Sequence, residues 1–279
     1  MDDIVITGIG IVSAMGVGRQ AFWQSCLAAE SGIKPIAGRL EGDFQSPLAG
    51  LVTDYDPRLY LKPATYRRMS RASRMAASAC VEAVRDSGLD PIQGDTSRMA
   101  IVAGTAHGSS MSVEDFYLSL LEDGPRGAKP FCFPETVPNA PAGNIAMVLG
   151  ITGPNTTFGH NDLSAETALV FALRLLEEGR VDLAIVCGLD EINAMFFGCL
   201  DALNALNPGE AARETNGLRP KPGAGIVLGE GAGALVLERS KTAAAREAQV
   251  YAALDAGALT GGKTGIGRYD HLEEALQRA

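Results

Sequence analysis

The chain is poor in cysteine and histidine, and neither is arranged to hold a metal. Its five cysteines, Cys26, Cys80, Cys132, Cys187 and Cys199, form no CxxC pair, and none of the three histidines stands at ligand spacing to them. A zinc module and a disulfide scaffold are thereby excluded. The pattern predicts reduced, mostly buried thiols and a cytoplasmic protein. Basic residues are in deficit, with 24 Lys and Arg against 33 Asp and Glu, a net charge of −9. A protein that coats nucleic acid needs the opposite balance, so no nucleic-acid partner is expected. No apolar run reaches the roughly 20 residues that cross a bilayer. The opening MDDIVITG is acidic and enters a strand at once, which predicts no signal peptide and no membrane span. Low-complexity segments and short repeats are also lacking.

What remains is a globular composition. Of 279 residues, 46% are hydrophobic, enough for a core in one large domain or two small ones. Strand-like runs without polar alternation occur at 3–12, 98–104, 156–160, 181–188, 231–238 and 249–257. Helical spacing marks 19–29, a long helix over 64–87 ended by Gly88, and 112–124 with acids in its first turn. It also marks a small-residue helix at 139–150 and a helix over 164–179, while 32–60 reads as loop. Strands that alternate with helices and are apolar throughout predict an α/β fold, with a mostly parallel mixed sheet covered by helices on both faces. Residues 1–257 form one domain in this reading. Residues 258–279 are a Gly-rich link with a terminal helix that holds His271.

Two glycine clusters invite a nucleotide reading and fail it. In GIGIVSAMG (8–16) the third Gly of the dinucleotide fingerprint falls on Ser13. GEGAGA (229–234) precedes a strand instead of joining a strand to a helix. No cofactor is expected.

The stretch GPNTTFGHNDLSAETAL (153–169) reads as a strand, a sharp corner and an apolar helix. Such corners can hold a nucleophile, and this one holds His160, Asn161 and Asp162. Asp162 stands where a helix N-cap belongs, so its carboxylate is expected to accept from the N–H of Ser164 or Ala165.

Four stretches carry a family resemblance: VITGIGIVSAMGVGRQAFWQSCLAAESGI, YRRMSR, GPR followed by KPFCFPETVPNAPAGNIAMVLGITGPN, and VLGEGAGALVLE. In order and spacing, from about residue 3 to 257, the chain resembles the N-terminal half of the β-ketoacyl-acyl carrier protein synthases of the thiolase fold. More narrowly, it is similar to chain-length factors, of the truncated kind that accompany aryl-polyene-type ketosynthases in type II polyketide synthesis. The resemblance implies a nucleophilic cysteine ten residues into the Gly153–Pro154 stretch, and Asp162 occupies that position. A carboxylate would carry an acyl group only as an anhydride that water destroys, whereas a thiolate holds and releases it as a thioester. The two histidines, the lysine and the second oxyanion donor that the family keeps in a second half have no counterpart in these residues.

A third departure is His107, at a loop position where the family has a small or aliphatic residue lining the acyl pocket. His107, His160 and Asp162 could converge either as a His–Asp catalytic pair or as a hydrogen-bonded plug of a vestigial pocket. The plug is preferred because no nucleophile and no complete oxyanion hole accompany the pair. By resemblance, Asn155, Thr156, Thr157 and Phe158 form the strand that pairs across a dimer. Thr136, Val137, Pro138, Asn139 and Ala140 would wall a partner's acyl tunnel. Arg67, Arg68, Arg126 and Lys129 match carrier-docking positions, with Arg67, Arg71 and Arg74 on one helix face. A solvated surface explains these cations equally well. The expected function is a non-catalytic subunit that pairs with a full-length ketosynthase, served by acyl carrier protein. The alternatives are a stand-alone thioester hydrolase or decarboxylase, or a pure scaffold.

Overall fold

The computed structural model describes residues 2–36, 38–89, 92, 94–209 and 225–259. His271 and most of the expected terminal segment lie outside these. The fold is built on one mixed sheet of seven strands. Its path is β2 (Gly16–Val17), β1 (Ile4–Ser13), β8 (Gly231–Arg239), β7 (Leu183–Asp190), β5 (Met99–Gly104) and β6 (Asn155–Phe158). A short β9 (Ala252–Leu254) also pairs with β1.

The α/β class and mixed sheet agree with the expectation, but the sheet is not mostly parallel. Only β5–β6 and β5–β7 run parallel, and the β7–β8, β8–β1, β1–β2 and β1–β9 pairs are antiparallel. Apolar strands buried on both faces look alike whichever way they run, so this pattern carries no direction.

One face of the sheet is covered by α3 (Arg71–Asp86) and α5 (Ala140–Leu149). The other face is covered in part by α6 (Ser164–Glu177), which sits over β5 and β7. The α3 core runs through Ala72, Met75, Ala76, Ala79, Cys80 and Ala83, all fully buried. Small residues let α3 approach β1 closely. A Cβ on Gly10 would lie 1.9 Å from the Ala79 carbonyl oxygen, and one on Gly8 would lie 2.1 Å from that of Ala83. In this stretch the outer flank of β1 is closed by side chains of α3. Asp86 accepts the Ile9 N–H at 2.9 Å, and Glu82 accepts that of Ile11 at 2.8 Å.

The expected helix over 64–87 is broken in two. A four-residue α2 (Pro63–Tyr66) ends ahead of Ser70, which is extended and caps α3 by accepting the Ser73 N–H at 3.0 Å. Arg67 therefore lies outside α3 and does not share a face with Arg71 and Arg74. The remaining helices are α1 (Arg19–Leu27), α4 (Ser110–Asp123), α7 (Ala194–Ala202) and α8 (Ser240–Ala245). Because α4 starts at Ser110, Glu114 and Asp115 miss its first turn. The 32–60 region is loop apart from a small hairpin, β3 (Lys34–Pro35) with β4 (Leu48–Ala49).

Cys80 and Cys187 are buried, Cys132 is half-buried, and Cys26 and Cys199 are exposed, against the expectation of mostly buried thiols. Beside α6 an open apolar trough of about 540 Å³ is lined by Ile9, Ile11, Leu169, Val186 and Leu235. No described helix is long and apolar enough to cross a membrane.

Candidate functional site

The corner after β6 takes the shape foreseen. β6 leads through Gly159 and His160 into a 3-10 turn, Asn161–Leu163, and then into α6. Asn161 adopts φ +49°, a left-handed conformation that Asn tolerates better than most side chains. Gly104 lets α6 begin directly on the end of β5, since a Cβ there would meet the Ser164 carbonyl at 2.2 Å.

Asp162 does not cap α6. It is exposed inside the 3-10 turn and makes no side-chain hydrogen bond among the described residues. The cap position falls on Leu163, which has no acceptor. Ser164 ties the corner instead. Its Oγ accepts the His160 N–H at 2.8 Å and donates to the Asn161 carbonyl at 2.6 Å. The extra 3-10 turn moved Asp162 off the cap position, and nothing in the local sequence announces such a turn.

Nor do the three candidate pocket residues bond to one another. His160 Nδ1 lies 3.2 Å from Thr167 Oγ1, whose own proton goes to the Leu163 carbonyl at 2.7 Å. His160 is therefore the donor, protonated on Nδ1. The His107 ring packs on Phe196, with centroids 4.2 Å apart and planes at 46°. No hydrogen bond or ion pair joins any two of His107, His160 and Asp162 among the described residues. The expected hydrogen-bonded plug is replaced by an aromatic contact between the 105–109 loop and α7.

Four consecutive residues that close β7 and follow it, Asp190 to Asn193, hold this region together. Asp190 accepts from Thr105 Oγ1 at 2.8 Å, from the Ala106 N–H at 3.0 Å and from the His107 N–H at 2.9 Å. Asn193 caps α7 by accepting the Phe196 N–H at 2.9 Å, and donates to the Ser110 carbonyl at 3.1 Å. Glu191, 2% exposed, accepts the Ala72 N–H at 2.8 Å and the Met111 N–H at 2.7 Å. Burial, reinforced by Glu230, raises its pKa from the ordinary 4.5 to about 7, although both N–H bonds and Arg71 pull it down. Ile192 gives its N–H toward Glu230. Sequence reasoning passed over these residues. The signal was a polar DEIN run closing a buried strand, which is unusual unless each group has a partner.

The expected interface residues are placed as follows. Val137, Pro138 and Asn139 are exposed, Thr136 bonds the Phe133 carbonyl through Oγ1 at 2.8 Å, and Ala140 opens α5. Pro138 lies beside Gly108, next to His107. The segment is anchored by Glu135, 6% exposed, which accepts from Ser70 N–H, Ser73 Oγ and Asn144 Nδ2 at 3.1, 2.6 and 2.7 Å.

β6, which spans Asn155, Thr156, Thr157 and Phe158, is the outermost strand of the described sheet. The Ile101 N–H goes to the Pro154 carbonyl and the Thr105 N–H to that of Phe158. Even-numbered residues of β6 thus face β5, and the main chain of Asn155 and Thr157 faces outward. Arg67, Arg68, Arg126 and Lys129 are exposed and form no ion pair among the described residues. Among these same residues no cluster of three or more His, Cys, Asp or Glu could hold a metal ion.

Comparison with known proteins agrees with the geometry. A family described as "Beta-ketoacyl synthase, N-terminal domain" matches residues 1–243. The 3-oxoacyl-[acyl-carrier-protein] synthase 2 of Vibrio cholerae is 31% identical over 255 residues, covering 89% of this chain and 61% of that protein. A putative polyketide β-ketoacyl synthase 1 of Streptomyces halstedii is 33% identical over 264 residues, covering 90% and 61%. Among solved structures, one described as the ishigamide ketosynthase/chain length factor superposes with a TM-score of 0.80 at 26% identity, covering 92% of this chain and 63% of that one. A β-ketoacyl synthase from Burkholderia phymatum shares the fold at a TM-score of 0.84 and 23% identity, covering 100% of this chain and 70% of that one. The chain thus spans about three fifths of the length of the curated relatives it matches.

Proposed function

This chain belongs to the β-ketoacyl synthase family, and from that premise we propose that it is a non-catalytic, chain-length-factor-like subunit. It pairs with an active ketosynthase in polyketide or fatty acid elongation and shapes that partner's acyl tunnel. Asp162 at the nucleophile corner carries this reading. The corner has a left-handed Asn161 and α6 starting on the end of β5, and the position that the resemblance matches to the nucleophile is an exposed carboxylate, which supports this reading. A carboxylate there would carry an acyl group only as a readily hydrolysed anhydride, so the acyl chain rides on the partner's thiolate. The partner also performs the decarboxylative condensation of carrier-bound thioesters.

Two surfaces fit such a partner. The outward main chain of β6 offers β-augmentation. The 136–140 segment, anchored at Glu135 and exposed at 137–139, would serve as the tunnel wall. Arg67, Arg68, Arg126 and Lys129 are free to meet an acidic carrier protein. That one similar structure is described as a ketosynthase/chain length factor supports the paired reading. Residues 1–257 act here as one ketosynthase-like domain. A stand-alone hydrolase using His160 and Asp162 loses support, because His160 Nδ1 is turned to Thr167.

The test is co-expression with a ketosynthase encoded nearby. The two proteins should co-purify, elongation should need both, and Val137→Ala should lengthen the product. Failure to co-purify, with elongation proceeding equally without this chain, sinks the proposal. Unchanged product length in an intact pair favours a scaffold instead.

A further inference from the structure

Among the described residues, the α6 face of the sheet is one helix short. α6 sits over β5 and β7. Packed helices lie about 10 Å apart, which is two strand spacings. The next place in the layer is therefore over β8 and β1, and there the open apolar trough of about 540 Å³ lies. Two cross-strand rows floor it, Ile9–Leu235–Val186 and Ile11–Gly233–Gly188. Ile9, Ile11 and Leu235 are only half-buried, and Gly233 is exposed. Leu169 of α6 stands in its wall.

We propose that the absent helix is the chain's own segment 271–279, and that its apolar face docks in this trough. In the sequence Leu272, Ala275, Leu276 and Ala279 recur at i, i+3, i+4 and i+7, one stripe of a helix. Glu273, Glu274, Gln277 and Arg278 fill the other side. Asp270 stands at the N-cap position, with Glu273 three residues on.

The described chain already leads there. Beyond β9 it crosses to α6, where Gly257 rests on two side chains. A Cβ on Gly257 would lie 3.0 Å from Val170 Cγ2 and 3.5 Å from Leu173 Cδ2. Its carbonyl accepts from Arg174 Nη2 at 3.3 Å. Leu169, in the trough wall, is one helical turn from Leu173. The link over 260–270 reaches about 35 Å when extended, well beyond that gap. Tethering also decides between occupants. A helix on a short flexible link meets the trough at an effective concentration of roughly millimolar, so it outcompetes a free helix of equal affinity.

Hydrogen exchange on the full chain, alone in solution, reads the docking. Amides of 273–279 should exchange at least about tenfold more slowly than in an unstructured peptide. A Cβ on Gly233 meets nothing within 4 Å, so Gly233→Trp fills the trough from its floor. In that variant the protection of 273–279 should be lost, while that of 74–84 on α3 holds. Leu272→Asp combined with Leu276→Asp lies outside the sheet, and keeps the test decisive if Gly233→Trp fails to fold. It too should release the segment, and it should raise the fluorescence of an anilinonaphthalene sulfonate dye. Sedimentation should give all three proteins the same mass. Unprotected 273–279 in the unchanged chain, or protection that survives Gly233→Trp in a folded protein, overturns the proposal. So does a paired aspartate variant with unchanged protection and dye binding. A mass halved by Gly233→Trp would put a second copy in the trough and overturn it as well.

Discussion

The imidazole of His107 rests on the ring of Phe196, joining the loop after β5 to α7 at a centroid distance of 4.2 Å. Both rings are fixed from behind by one corner, because Asp190 holds the His107 N–H and Asn193 holds that of Phe196. A tilted aromatic contact of this kind is worth roughly 0.5–1.5 kcal/mol beyond area burial. A double-mutant cycle with His107→Ala and Phe196→Ala, read by urea denaturation, should return a coupling in that range. Purely additive effects would show that the rings merely lie near each other.

Asp162→Asn should shift stability by less than about 0.5 kcal/mol, because the side chain is exposed and makes no bond. Ser164→Ala should cost roughly 1 kcal/mol, because it removes the buried hydroxyl that accepts the His160 N–H and donates to the Asn161 carbonyl. Thermal melts of the two variants check the contrast. A large loss on changing Asp162 would return it to the capping role that the sequence suggested.

Much of the site was legible in the residues. The strand–corner–helix shape and the edge strand at Asn155–Phe158 follow from apolar runs, turn residues and resemblance. What was missed is long-range. Ser70 breaks a good helical pattern because its N–H is taken by Glu135, 65 residues away. Asp162 misses its cap because a 3-10 turn intervenes. His160 turns to Thr167 and not to Asp162, a choice of rotamer that spacing does not encode. The direction of β8 and β1 is likewise invisible in strands that are apolar on both faces.

Glu135→Gln should cost roughly 1–3 kcal/mol, since its amide end brings a donor against groups that themselves donate. Limited proteolysis should then cut the 131–139 segment faster. Unchanged cleavage would mean that Glu135 does not tether the segment.

The raised pKa of Glu191 fixes the sign of a pH effect. The folded state holds this proton up to about pH 7 and the unfolded chain only to the ordinary 4.5. Its contribution to stability is therefore complete below pH 4.5, declines as pH rises from there to 7, and is lost above. The full span is at most roughly 3 kcal/mol. Chemical denaturation across that window should show a slope that Glu191→Gln removes. A slope of opposite sign at this residue would mean that its two N–H bonds outweigh its burial.

Thr157→Pro removes an N–H that faces outward and spares the β5 ladder. The variant should fold with unchanged helical content and fail to co-purify with a ketosynthase. Retained pairing would move the interface elsewhere.

The two margins of the sheet are unequal. Beside β1 the margin ends in strands of two and three residues, with the Asp86 and Glu82 carboxylates filling the gap between them. Among the described residues no strand pairs with the outward main chain of β6. Under the proposed pairing, a body with one open side and one blunt side would be joined once and then have nothing left to offer, so growth would stop at a couple and not run on into a fibre.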